Sequence, residues 1–539
     1  MHKHLIALFG LAVLGPFPAM ASTTSQTESD VPIFFLADSQ IHNLYGTSLK
    51  QMTGTADWVS KVAIRPPEVN ILAPFTLRQS LERGISNLGD RTQLAVVLGD
   101  GTNIGCSGEA DKFDSEFDRT GPNTIRLMAH GNHDSYLMGT VNSYGPIGEH
   151  AWKPGAMMNS NLPVDEAFWT PSATPVFKDT SLRGRNWLDA CYAPRLANTP
   201  AGTPMNKVRW LARYSASLSK HGLIENFEGP TTNDGLTFSG TAVPGSSLAN
   251  LNYRSRGVWY KPYPKDEGAS ANYARSWQSF SVQAVDIGTT HTLVLIDTSV
   301  RAIARGGLSF PLTNAGTHGM IGTEQIDVIE KLLSEIPGAR HVIVAGHFPL
   351  DSIKRRDRTR LVRLMSSRSP TGWTYVSGHT HEALSRRQHR GGVDINIGST
   401  TDWPIESHII RFRADSAAEE RTESTILKDT YEPLRYTPSS SLGSAYSELC
   451  RHYGVAEALA SATQEMYHSA WASPLLEESE CSSLQDRWMN ASLELAGFQA
   501  EISRRFDAEP VYREFILRVA AGASRYEAGQ RRIGPRRIP

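Results

Sequence analysis

Only four cysteines occur in the 539 residues: Cys106, Cys191, Cys450 and Cys481. No two stand at CxxC spacing, which argues against a structural zinc site built on thiolate pairs. An excess of charge of either sign is also missing: 54 Lys and Arg against 55 Asp and Glu leave a formal net charge of -1. The chain therefore carries no nucleic-acid signal and no general attraction to an anionic membrane. Any charge on a ligand has to be met locally. Past the first residues no stretch is long and apolar enough to cross a bilayer, so no membrane span is expected in the mature chain. Internal repeats and low-complexity tracts are lacking as well, and nothing sets an oligomeric state.

What is present begins with a targeting pattern. Met1 to His4 is short and basic, Leu5 to Gly15 is apolar, and Ala19-Met20-Ala21 fits the small-residue rule of a signal peptidase. Residues 1–21 read as a signal peptide cleaved before Ser22, which places the protein in the periplasm or outside the cell. Residues 22–30 are polar and small and read as a linker. Export permits disulfides. Four cysteines allow three pairings; a local loop favours Cys450–Cys481, which leaves Cys106–Cys191.

A chain of this length exceeds one ordinary core, so more than one unit is expected. From Val31 onward one pattern recurs: a short apolar run that stops at Gly, Asp or His. Val31 to Ala37 stops at Asp38, Leu94 to Leu98 at Gly99-Asp100, and Thr124 to Ala129 at His130-Gly131-Asn132-His133-Asp134. His341 to Ala345 stops at Gly346-His347, and Trp373 to Ser377 at Gly378-His379-Thr380-His381. Such runs read as buried strands. Leu77, Leu81, Ile85 and Leu88 form one helical stripe, and Ile326, Ile329, Leu333 and Ile336 another. Strands alternating with helices predict an α/β fold, with ligands gathered beyond the carboxyl ends of the strands. Residues from about 140 to 280 are rich in Pro, Gly, Ser and Asn, with Trp152, Trp169, Trp187, Trp210, Trp259 and Trp277 among them. They read as a loop-rich insertion in a domain spanning 31–436. Residues 437–539 read as a helical C-terminal region, from the spacing of Leu484, Trp488, Leu495, Phe498 and Ile502 and of Val511, Phe515 and Val519.

Taken singly, a Gly-Asp or a Gly-His is common, and a lone His is usually structural. As a set, Asp38, Asp100, Asn132, His347, His379 and His381 each follow a predicted strand. Carboxylate, amide oxygen and imidazole suit borderline divalent ions such as Mn, Zn and Fe. His379 and His381, two residues apart, can face different ions, and the two oxygens of Asp100 can bridge them.

In this order the motifs Asp38, Gly99-Asp100, Gly131-Asn132-His133-Asp134, Gly346-His347 and Gly378-His379-Thr380-His381 resemble the calcineurin-like metallophosphoesterase family, over the strands from Val31 to His381. The resemblance implies a β-sandwich flanked by helices and two divalent metal ions. Asp38, Asp100 and His381 would hold the first, and Asp100, Asn132, His347 and His379 the second. It makes His133 the catalytic histidine. The expected activity is hydrolysis of a phosphate ester, on a small molecule or a macromolecule, by a water activated between the metals.

Two positions depart from the family pattern. Asp-x-His is replaced by Asp38-Ser39-Gln40. Gln40 is expected to ligate the first metal or to orient its water, with His42 a nearby polar residue. The second motif ends in Asn103 where an Asp commonly orients the catalytic His, and where purple acid phosphatases have Tyr. These departures favour an alternative, a metal-bearing binding or regulatory protein whose activity is weakened. Lys354-Arg355-Arg356 with Arg358, Arg360 and Arg363 reads as a solvated helix face, with a second phosphate subsite as the functional reading.

Overall fold

The computed structural model describes residues 30–42, 67–88, 94–134, 207–220, 236–238, 254–261, 279–300, 318–413, 421–425 and 499–533, less 104, 106, 121–123, 288–289, 339, 369–371 and 501. Residues 1–21, which read as a signal peptide, most of the expected linker and insertion, residues 437–498 and all four cysteines lie outside the described residues, and the expected disulfide pairing with them.

Within these bounds the chain runs β1 (Asp30–Leu36), α1 (Pro67–Leu88), β2 (Leu94–Val97), α2 (Ser107–Thr120), β3 (Ile125–Met128), α3 (Lys207–Lys220), β4 (Leu236–Phe238), β5 (Arg254–Lys261), β6 (Phe280–Ile287), β7 (His291–Ile296), α4 (Thr323–Glu335), β8 (His341–Ala345), α5 (Arg355–Arg368), β9 (Trp373–Ser377), β10 (Ser385–His389), β11 (Gly392–Asn396), β12 (Ser407–Arg413), β13 (Arg421–Thr425) and α6 (Pro510–Ile533). The fold is mixed α/β. One sheet has the order β13-β12-β1-β2-β3 and the other β10-β11-β9-β8-β7-β6-β5-β4. β1, β2 and β3 run parallel, as do β7, β8, β9 and β11.

Alternation along the strands sets the layers. On β8, Ile343 and Ala345 join a core that also holds Ile33, Phe35, Val96 and Leu127 of the first sheet, while Val342 and Val344 point the other way, toward Ile326, Ile329 and Leu333 of α4. The two sheets touch directly: the rings of His291 on β7 and His341 on β8 lie 6.0 and 6.4 Å from that of Phe412 on β12. Burial pushes His341 down to about 4, so it is neutral in this apolar seam. Fully burying a Phe, Leu or Ile side chain contributes about 1.5–3 kcal/mol.

The outer face of the first sheet is covered by α1, whose Leu77 and Leu81 enter the same core. Arg78 of α1 is only 2% exposed and is fully compensated. It makes a two-pronged bond to Glu116 of α2 at 2.8 and 2.9 Å and reaches Asp507 at 2.9 Å. Phe75 and Phe506 stack beside it, 5.2 Å apart. A buried guanidinium held this way fixes three elements, and removing either carboxylate would leave part of its N–H fork without that partner.

Part of the stretch that reads as loop-rich is regular. β4 and β5 extend the eight-stranded sheet beyond β6, and α3 buries Trp210, Leu211, Tyr214 and Leu218. That apolar set has helical spacing, but the Pro- and Gly-rich flanks on either side dilute it in any sequence window. On α5, Arg358 pairs with Asp351 and Arg360 with Asp327, both at 3.0 Å and partly exposed, which is the behaviour of a solvated face.

Candidate metal centre

Every motif residue lies just past the carboxyl end of a strand: Asp38 after β1, Asp100 after β2, Asn132 and His133 after β3, His347 after β8, His379 and His381 after β9. The parallel strands bring these ends to one edge. Ligand atoms of Asp38, Asp100 and His381 come within 4.8 Å of one another, and so do those of Asp100, His347 and His379. Asp100 belongs to both groups. Asn132 joins the second, its Oδ1 2.8 Å from His347 Nε2. Gln40 reaches the first, its amide 3.4 Å from His381 Nε2.

The backbone is bent to achieve this. Among the described residues the non-glycines at positive φ are Asp38 (53°), Gln40 (42°), Asp100 (54°), His379 (75°) and His381 (55°). All five belong to this cluster. Left-handed backbone is unfavourable for residues with a Cβ, and its concentration here marks a place where geometry outranks local comfort. The preceding glycines answer to space. A Cβ on Gly131 would lie 2.1 Å from Asp100 Oδ1, and one on Gly378 2.7 Å from Asp38 Oδ2.

The rings of His347 and His381 are each aimed by the far nitrogen. His347 donates from Nδ1 to the Leu98 carbonyl at 2.9 Å, so its Nε2 faces the cluster. His381 Nδ1 is held by the Asp402 carboxylate, and its Nε2 lies 3.1 Å from Asp38 Oδ1. Imidazoles anchored through the second nitrogen are typical of metal ligands. His379 presents Nδ1, 3.1 Å from His347 Nε2.

The charge balance would suit a cation. Two buried carboxylates converge, yet Asp38 Oδ1, Asp100 Oδ2 and Gln40 Oε1 accept no hydrogen bond. Burial would push the Asp100 carboxyl up, but the charges of His347 and His133 hold it well below the usual range. Burial would pull His347 down, but Asp100 holds it up at about 9. Burial and the neighbouring His347 charge then keep His379 well below its ordinary value. Positive charge on His347, with His133 beside it, answers the converging carboxylates in the place where a divalent ion could replace it. The donor set fits borderline divalent ions.

Asp134 ties the loops together: it accepts from the Asp100 and Gly131 N–H groups at 2.8 and 2.9 Å and from the Thr102 N–H at 3.2 Å. Burial and the Asp100 charge raise it to about 7. His133 donates its own N–H to Asp100 Oδ1 at 2.7 Å, and its ring Nδ1 to the Asn103 carbonyl at 2.5 Å. Residue 103 therefore orients His133 through its main chain, and replacement of an Asp side chain there does not release the ring. The Asn103 amide lies instead 3.3 Å from His42 Nδ1, which pairs with Glu109 at 2.9 Å. His42 is engaged in that buried pair and belongs to neither metal group.

Sequence reading misses Asp402, the carboxylate that aims His381. The available signal was the run Val393 to Ile397 stopping at Gly398-Ser399, the same strand-then-Gly shape as the other motifs. Helix α3, within the stretch that reads as a loop-rich insertion, packs beside the site: Trp210 meets His130 edge-on at 4.8 Å, and Lys207 pairs with Asp297 at the end of β7 at 2.8 Å.

No protein-family profile and no curated protein matches the chain. Among solved structures, one described as the structure of PhoD has a TM-score of 0.31 and 7% identity, covering 74% of this chain and 68% of its own. Another, described as GAP50, the anchor in the inner membrane complex of Plasmodium, has a TM-score of 0.26 and 10% identity, covering 74% and 90%. Likeness at this level carries no argument, and the functional reading rests on the site.

The amide of Gln40 makes one test direct. Its Oε1 accepts no hydrogen bond while its amide nitrogen faces a ligand nitrogen; a cation there would favour the flipped amide, oxygen inward. Gln40→His replaces a neutral oxygen by imidazole, and the metal concentration for half-maximal activity is expected to fall. An unchanged titration means that residue 40 does not touch the ion.

Proposed function

We propose that this chain is a calcineurin-like, metal-dependent phosphoesterase that hydrolyses phosphate esters with two divalent ions, Mn, Zn or Fe. The supporting observation is the sharing of Asp100 between two Asp/His groups. Asp38, Gln40, Asp100 and His381 would hold one ion, and Asp100, Asn132, His347 and His379 the other. When bound, such ions lower the pKa of a shared water and neutralise charge on the phosphoryl oxygens.

The chain's own residues do the rest. Asp100 fixes His133 by accepting its N–H, and the Asn103 carbonyl fixes the ring by accepting Nδ1–H. A carbonyl only accepts, so the hydrogen sits on Nδ1 and any proton added to the ring goes to Nε2. From there it can reach the leaving oxygen, or the ring can stabilise phosphoryl charge. No nucleophilic Ser or Cys is required. No described helix is long and apolar enough to span a membrane; residues 1–21 support export to the periplasm or beyond.

Purified full-length protein is expected to turn over a chromogenic phosphate ester when Mn is added and to stop when a chelator removes it. Stoichiometric metal binding without turnover of mono- or diester would favour the binding or regulatory reading to which Gln40 points.

A further inference from the structure

We propose that the C-terminal helix is a working part of one half of the metal centre: through Ser524 and the loop 399–404, α6 sets how tightly the Asp38–Asp100–His381 group holds its ion. This rests on the two-ion reading above and adds a positioning residue to it.

Ser524 is 2% exposed, and its hydroxyl donates to the Thr401 carbonyl at 2.9 Å. One residue on, the Arg525 guanidinium lies over the Trp403 ring at 5.5 Å. Between those two contacts stands Asp402, whose carboxylate holds His381 Nδ1. The loop is also tied under the first motif. Ser399 Oγ accepts the N–H groups of Thr401 and Asp402, both at 3.0 Å, and donates to the Asp38 carbonyl at 2.7 Å. The Thr400 N–H reaches the Ala37 carbonyl at 3.2 Å, and the Thr401 hydroxyl donates to the Ser39 carbonyl. Asp38 and His381, two of the three residues in that group, thus hang on a loop that α6 holds from behind.

The helix can act as a fixed support because it is itself seated. Tyr512, Ile516, Leu517, Ala520 and Ala521 are buried, and Arg513 pairs with Glu82 of α1 at 2.5 Å. In the other group His347 is anchored apart from the loop, on the Leu98 carbonyl just past β2, and only the His379 N–H reaches the loop indirectly, through Asp38 Oδ2 at 2.8 Å. Loosening the loop should therefore act mainly on the first ion. Partners that orient a metal-bound histidine typically change affinity by about 10–100-fold. Ser524 acts one layer further out, so the low end applies.

The test is calorimetric titration of the metal-free, full-length protein with Mn. Ser524→Ala is expected to weaken one of two dissociation constants by about 10-fold and leave the other within about twofold. Hydrogen exchange at residues 399–404 is expected to speed up in the same variant. Ser524→Thr, which keeps the hydroxyl, is expected to bind both ions like the parent. Arg513→Ala loosens the seat of the same helix; it should lower the melting temperature and weaken the same constant by no more than Ser524→Ala does. Unchanged constants in Ser524→Ala, or equal weakening of both, would each overturn the proposal. A parent protein that takes up fewer than two ions overturns the two-ion reading instead, and is recognised before any variant is made.

Discussion

Asp100→Asn is expected to abolish turnover and to empty both halves of the centre together. Asp100 is the residue common to the two groups. Its Oδ1 accepts the His133 N–H at 2.7 Å, while Oδ2 stands 3.3 Å from His347 Nε2 and accepts no hydrogen bond. Asparagine keeps the shape and can keep the acceptor at Oδ1, so the loop after β3 stays in place. It replaces the second oxygen by an NH2 group, which cannot bind a cation and directs hydrogens at the place where one belongs. The variant also removes one of two converging negative charges, so attraction for either ion falls. Metal analysis of the purified variant, with circular dichroism to show that it is folded, checks this. Two ions retained with full turnover would remove Asp100 from its bridging role. Loss of one ion alone would reduce Asp100 to a ligand of a single site.

Legibility in the sequence followed the distance over which each feature is encoded. The strand ends were readable because an apolar run, a glycine and a ligand are neighbours in the chain, and the glycines have a local cause: the carboxylates of Asp38 and Asp100 occupy the space of a Cβ at Gly378 and Gly131. The order of Asp38, Asp100, Asn132, His347, His379 and His381 was readable for the same reason. What aims them was not. His381 depends on Asp402, His347 on the backbone of Leu98, and His133 on the backbone of Asn103. A carbonyl has no residue identity, so its role leaves no trace in sequence. Asn103 shows how this misleads: judged by side chain it suggests a loosened histidine, whereas its main chain holds the ring. The tie from Ser524 to Thr401 joins residues on different elements, and a serine on a helix carries no mark of it. Helix α3 was hidden for a different reason: Trp210, Leu211, Tyr214 and Leu218 have helical spacing, but the Pro- and Gly-rich composition around them weights any window toward loop.

His133→Asn is expected to lower kcat by about 10²–10⁴-fold, with metal content and melting temperature close to those of the parent. The ring lies near enough to Asp100 and His379 to act on their charges, and its orientation is fixed from two sides, by Asp100 through the N–H and by the Asn103 carbonyl through Nδ1. The first of these contacts is a backbone bond that asparagine retains, so the loop and the neighbouring Asn132 should keep their places. The second is lost with the imidazole, and with it the Nε2 that can pass a proton. Two roles remain for that nitrogen, and they separate by leaving group. If His133 protonates the departing oxygen, an ester with a nitrophenolate leaving group needs little help, and the defect shrinks toward that end of a substrate series. If instead the ring stabilises charge on the phosphoryl group, the defect is uniform across the series, because that charge is present whatever leaves. A purely supporting His beneath the centre would do neither: its loss would lower metal occupancy and the melting temperature along with activity. Unchanged kcat at full occupancy would deny His133 both chemical roles and shift the weight to a centre that binds phosphate esters without hydrolysing them.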